Sequence, residues 1–375
     1  MKSLKFLACL LGSAVALSLS GCSSAPEKPK ASPLPVVSGS FKVQNVWKNQ
    51  IGPVQPHLLA SLHGQQMAVA SAQGQLALMD VQNGRDVWRI SLNAPIQAGV
   101  GGDGRRFAVV TQANELVVVE AGKVLWRHVL PALSYTPPLV AGERVFVMTG
   151  DRAVSAFDAQ TGQRLWSQQR SSDPLLLRQA GLLIPFGDNL LVGWGGRLAS
   201  LNPLTGAVRW ETMVGLTRGT NEVERLVDLV AGVSRQGGSL CLRAFQISVA
   251  CLDGLTGRVM WSRPAQGHQG LDGNENVVIG TESDSKVLAW DRNSGAPLWA
   301  QESLRFRGLS MPSFWSNFGV VGDQDGWVHF LAPQDGKPVQ RVATDGSGIM
   351  GKPIVAGQTL VVVTRNGNIF GLRAE

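Results

Sequence analysis

"TGQRLW" occupies Thr161–Trp166, and three later stretches share its layout: "TGAVRW" at Thr205–Trp210, "TGRVMW" at Thr256–Trp261 and "SGAPLW" at Ser294–Trp299. A glycine stands four residues before a tryptophan in each. Gly84 and Gly122 hold the same place before Trp88 and Trp126, so the glycines are Gly84, Gly122, Gly162, Gly206, Gly257 and Gly295. In five of these six units an Asp or Asn stands four residues before the glycine: Asp80, Asp158, Asn202, Asp253 and Asp291. An Asp or Asn side chain accepts backbone N–H groups and starts a turn, and glycine takes the positive φ that closes it. The strand that follows delivers an indole at a fixed depth. One such ring per unit is placed to pack on the neighbouring sheet, burying roughly 200 Å².

Residues 137–166, "PPLVAGERVFVMTGDRAVSAFDAQTGQRLW", divide into four short strands separated by "AGE", "GD" and "AQTG". The unit recurs with a period of about 40 residues, and four strands per unit at that period indicate a β-propeller. Units close on Trp88, Trp126, Trp166, Trp210, Trp261 and Trp299. A seventh, "VVGDQDGWVHFLAPQDGKPVQ", keeps Gly336 but carries Gln340 in place of tryptophan. The last stretch, "PIVAGQTLVVVTRNGNIFGLRA", supplies three strands. The missing fourth is found at the other end, in "FKVQNVW", closing on Trp47. The expectation is an all-β, eight-bladed propeller over residues 41–375, locked by its own N-terminal strand. The seven tryptophans, Trp47 included, are its inter-blade packing residues.

The first 21 residues read as an export signal: Lys2 and Lys5, the apolar run "FLACLLGSAVALSL", then "LSGC" ending at Cys22. That ending resembles the lipobox of bacterial lipoproteins. By that resemblance residues 1–21 are removed and Cys22 carries lipid on its thiol and amine; the alternative is an ordinary secretory signal cut nearby. Ser23 after the cysteine favours the outer membrane in enterobacteria-like sorting. Residues 22–40 contain four prolines and read as an extended tether. Without Lys2 and Lys5 the formal charge falls from +7 to +5, and no dense Lys/Arg run is present, which argues against a nucleic-acid partner. Cys241 and Cys251 flank a hairpin centred near Gln246 and are read either as a disulfide or as two buried thiols.

The repeat Asp-x-x-Thr-Gly-x-x-x-Trp resembles that of pyrroloquinoline-quinone dehydrogenases. With the lipobox and tether, the chain is similar to the BamB family, lipoprotein subunits of the machinery that folds and inserts outer-membrane β-barrels. The resemblance implies a scaffold without cofactor or catalysis. Its partners would be BamA, through the POTRA repeats, outer-membrane lipid through the anchor, and nascent outer-membrane proteins. The alternatives are a quinoprotein dehydrogenase and a general periplasmic binding propeller.

Two inter-blade connections are longer than the rest, one after Trp166 and one after Trp210, and long loops on a rigid scaffold are where recognition sits. The first holds "DPLLLRQAG" (173–181) and the second "TNEVERLVDLV" (220–230). Leucine beside arginine and carboxylates is an interface composition; the plainer reading makes "PLLL" the innermost strand of its blade. Family resemblance assigns partner binding to Leu175, Leu177, Arg178 and Asp228, with Glu224 and Arg225 nearby. The second acid of the family pattern falls on Val230 here. "GVGGDG" (99–104) precedes a strand rather than a helix, so it is not a phosphate loop. "GDQDGW" (322–327) reads as a turn rather than a calcium loop, and His57, His63, His128, His268 and His329 lack ligand spacing.

Overall fold

Arg144–Met148 is apolar from Val145 onward, and the strand it forms is buried on both faces. The strand closing the same repeat, Arg164–Gln168, alternates between exposed and half-buried positions. This contrast defines a blade: inner strands sandwiched between neighbouring sheets, and an outer edge facing water. The computed structural model describes residues 29–37, 39, 41–170, 177–216 and 226–375, and among these every regular element is a strand. The signal segment and Cys22 lie outside the described residues.

The strands form eight four-stranded antiparallel sheets. Seven are consecutive in the chain: blades 1 (61–91), 2 (96–129), 3 (139–168), 4 (183–213), 5 (234–264), 6 (271–301) and 7 (313–343). Blade 8 takes three strands from 349–374 and its outer strand from Val43–Gln50, which pairs antiparallel with Asn368–Ala374. Trp47 lies opposite Gly371 in that ladder, so the two chain ends close the ring.

Each repeat tryptophan stacks on the turn glycine of the following blade: Trp47 on Gly84, Trp88 on Gly122, Trp126 on Gly162, Trp166 on Gly206, Trp210 on Gly257, Trp261 on Gly295 and Trp299 on Gly336. The indole N–H donates to a carbonyl of the same turn at six of these junctions, for example Trp126 to Ala159 at 2.9 Å and Trp261 to Arg292 at 2.7 Å. The Asp side chain builds the turn from inside. Asp158 Oδ1 accepts from Gln160 N and from the N–H and hydroxyl of Thr161, while Gly162 N donates to the Asp158 carbonyl at 2.9 Å. These N–H and O–H donors hold the Asp158 carboxyl below its ordinary range.

Gln340 marks the eighth junction, and the seam explains the substitution. Blade 8 has no turn between its third and fourth strands, because they are distant in sequence, Asn368–Ala374 and Val43–Gln50. No turn glycine is available to receive an indole. Gln340 instead donates to the Phe41 carbonyl at 2.7 Å, and the Phe41 ring stacks on Phe318 at 4.4 Å between centroids.

Of the stretch read as an extended tether, Ser32, Pro35 and Gly39 are hydrogen-bonded to blade 7 and its approach. Ser32 N donates to the Arg305 carbonyl, Arg307 to the Ser32 carbonyl, Arg341 to the Pro35 carbonyl and Gly39 N to the Val339 carbonyl, all at 2.9–3.0 Å. An extended proline-rich segment makes no internal hydrogen bonds, so its carbonyls are open to arginine. Cys241 and Cys251 stand directly opposite each other in blade 5, with Cα atoms 4.0 Å apart, and are joined as a disulfide.

Candidate functional site

The two long connections meet on one rim of the ring. Leu182 N donates to the Leu229 carbonyl at 3.1 Å, Ala231 N to the Ala180 carbonyl at 2.9 Å, and Gly181 bridges Val230. The connection into blade 4 is thereby stitched to the connection into blade 5. Leu175, Glu224 and Arg225 lie outside the described residues; Leu177, Arg178, Asp228 and Val230 lie within them.

Leu177 is in no strand. The innermost strand of blade 4 is Leu183–Phe186, so for Leu177 the loop reading holds. Leu177 is half-buried and Arg178 is exposed, and among the described residues Arg178 has no carboxylate partner. Asp228 is in a different position: it is 6% exposed and lies beneath the loop. Its Oδ1 takes a short hydrogen bond from Arg152 Nη1, and its Oδ2 accepts from Leu177 N at 3.4 Å. Burial pushes its carboxyl above the ordinary value, with the Arg152 guanidinium and the Leu177 N–H opposing that push. Asp228 is thus consumed within the protein, and it braces the Leu177–Arg178 backbone rather than facing outward. Val230, at the position of the second acid, is 2% exposed.

Three residues of this rim were not singled out as site residues: Arg152, from a turn of blade 3; Tyr135, from the connection into that blade; and His57, from the segment before blade 1. His57 Nε2 lies 2.8 Å from the Arg178 carbonyl, and its ring stands 5.0 Å from Tyr135. Arg152 and Asp228 are 76 positions apart, and His57 and Arg178 are 121 apart. No spacing pattern reaches that far; these contacts follow from the order of blades around the ring.

Elsewhere the chemistry is structural. "GVGGDG" runs from an inner strand of blade 2, Ile96–Gly102, into the following turn, and no helix follows. In "GDQDGW", Asp323 is fully buried and accepts from Arg307 Nε at 2.7 Å, Trp327 N at 2.9 Å and His329 Nε2 at 3.0 Å. Among the described residues, no three His, Cys, Asp or Glu side chains are grouped to hold a metal ion.

The fold defines a class: an eight-bladed propeller of quinoprotein-type repeats, with two long connections joined on one rim. Residues 72–301 match the family profile described as outer membrane protein assembly factor BamB. The chain is 35% identical over 365 residues to the outer membrane protein assembly factor BamB of Burkholderia pseudomallei (strain K96243), covering 96% of each. The crystal structure of BamB from Moraxella catarrhalis has a TM-score of 0.80 and 26% identity, covering 88% of this chain and 100% of that one. A europium-containing methanol dehydrogenase has a TM-score of 0.67 at 15% identity, over 88% of this chain and 86% of that one, a likeness of fold alone. The chain belongs to the BamB family of outer membrane protein assembly factors, and its role lies in outer-membrane protein assembly.

Proposed function

We propose that this chain is a non-catalytic scaffold lipoprotein of the barrel-assembly machinery. In this reading Cys22 carries the lipid that holds it to the outer membrane on the periplasmic side. The ring docks the POTRA repeats of BamA through the loop around Leu177 and Arg178, assisting the folding and insertion of nascent outer-membrane proteins. The observation that carries the reading is an exposed arginine without a carboxylate partner among the described residues, on a loop whose backbone is fixed from below by the buried Arg152–Asp228 pair. An arginine on a pre-ordered backbone binds an acidic partner surface with little entropy still to lose.

The decisive experiment is Arg178→Glu in the full-length protein, followed by capture from detergent-solubilised outer membranes. Co-purification of BamA should fall at least tenfold, while the thermal midpoint stays within about 2 °C because the side chain is exposed. Wild-type capture by the variant would reject the assigned surface.

A further inference from the structure

The loop that presents Arg178 has a second brace besides Asp228. His57 sits in a segment whose backbone is fixed to blade 2: Gly99 N donates to the His57 carbonyl at 3.2 Å, and Val100 N to the Leu59 carbonyl at 2.6 Å. From that base the imidazole reaches Arg178 through Nε2, 2.8 Å from the carbonyl oxygen. A carbonyl only accepts, so Nε2 carries the hydrogen and donates it. Nδ1 is then a lone pair; it is buried and has no partner among the described residues. Tyr135, half-buried, closes one face of the ring at 5.0 Å. Nothing in the packing of blade 1 needs this contact; it joins the segment before blade 1 to the connection before blade 4.

We infer that His57 is a positioning residue for partner docking: it fixes the Arg178 backbone from the blade 2 side, as Asp228 fixes Leu177 from below, and so aims the exposed guanidinium. This rests on the docking reading above. The two anchors hold adjacent residues from different parts of the ring, so the motion that one permits is limited by the other. Losing His57 leaves the loop tied at Ala180–Leu182 but lets Leu177 and Arg178 move together, loosening the Leu177 N–H bond to Asp228 as well. An unaimed arginine must be ordered at the moment of binding, and that ordering weakens association.

The test uses the full-length protein and detergent-solubilised BamA, with Arg178→Glu as the reference. His57→Leu keeps bulk but removes the donor; His57→Gln places an amide N–H2 near the Nε2 position. His57→Leu should weaken binding about tenfold, the worth of one such hydrogen bond, and speed amide exchange at Leu177 by a similar factor. His57→Gln should recover most of both, a rescue that lost packing alone does not predict. If Arg178→Glu abolishes binding and His57→Leu leaves affinity and exchange unchanged, the positioning role is wrong and the docking surface stands. If Arg178→Glu binds normally, the docking reading falls, and unchanged exchange at Leu177 in His57→Leu then removes the brace as well. A measurement on the unaltered protein covers any folding failure of the variants. Ring nitrogen shifts at pH 7.5 should show the Nε2–H tautomer, and an Nδ1–H tautomer would overturn the assignment.

Discussion

The junction between Trp261 and Gly295 allows the repeat's logic to be measured. Gly295 has φ +67°, and a Cβ built on it would stand 2.5 Å from Cδ2 of Trp261, an indole that is 6% exposed. Gly295→Ala therefore carries two separate costs. Placing a Cβ in the left-handed region costs about 1 kcal/mol. Moving the indole costs more: its hydrogen bond to the Arg292 carbonyl, 2.7 Å and buried, is worth roughly 1 kcal/mol, and displacing a buried ring from a packed junction adds about 1–3 kcal/mol. The total is about 3–5 kcal/mol. Gly142 supplies the control, because it has φ +57° and nothing within 4 Å of a built Cβ. Gly142→Ala should lose only the conformational part, about 1 kcal/mol. Equilibrium urea unfolding of both variants, followed by tryptophan fluorescence, separates the two costs. Equal losses would refute the reasoning, since the glycine would then be serving the turn alone and not the neighbouring indole.

Gln340→Trp should destabilise by about 1–3 kcal/mol even though it restores the repeat, because the seam offers no turn to receive the ring and the Phe41 carbonyl loses its donor; a rise in the urea midpoint would show the seam to be receptive. Acid should act through the repeat turns. The carboxyls of Asp158, Asp253 and Asp291 are held below their ordinary value of 3.8 by turn N–H and hydroxyl donors, with Ser294 the largest cause at Asp291. Their stabilising contribution is complete above that value and is lost as pH falls through the lower folded-state values. The thermal midpoint should therefore drop steeply below about pH 4. Asp291→Asn, which copies the natural Asn202 turn, should fold and show a shallower drop; an unchanged slope would mean that this turn contributes nothing to acid sensitivity.

The parts of this molecule legible in its sequence are those written within one repeat. Asp, glycine and tryptophan at intervals of four specify a turn and a packing residue whatever the rest of the chain does, so the blades could be counted. The closure was legible for a related reason: three strands at the C-terminus cannot leave a blade open while a spare strand stands at the N-terminus. Contacts that cross the ring were not legible. Composition reads residues 22–40 as an extended tether, but cannot say that Arg307 and Arg341 hold the carbonyls of Ser32 and Pro35. Asp228 looks like a surface acid in "VERLVDLV", yet its partner Arg152 sits two blades earlier, and that pairing draws the carboxylate inward. The cysteines were undecided for want of one number, the hairpin register, which the turn at Gln246 sets.

The same ring geometry serves quinoprotein enzymes and this assembly factor, so the difference must lie in what the repeats point inward. Residues from blades 1 and 8 and from the connections before blades 1, 5 and 7 meet in one pocket, a convergence possible only near the axis. Its lining is Val54, Leu58, Val69, Met311, Met350 and Val363 among others, and its single charged member, Lys352, is paired with Asp272 at 3.1 Å. A quinone bearing several carboxylates needs several unspent cations and donors, and this lining supplies none. An apolar lining of this kind supports the scaffold reading proposed above over a site for a polycarboxylate cofactor. In that reading the exposed guanidinium of Arg178 is the rim group offered to a partner, on a loop that His57 and Asp228 hold still.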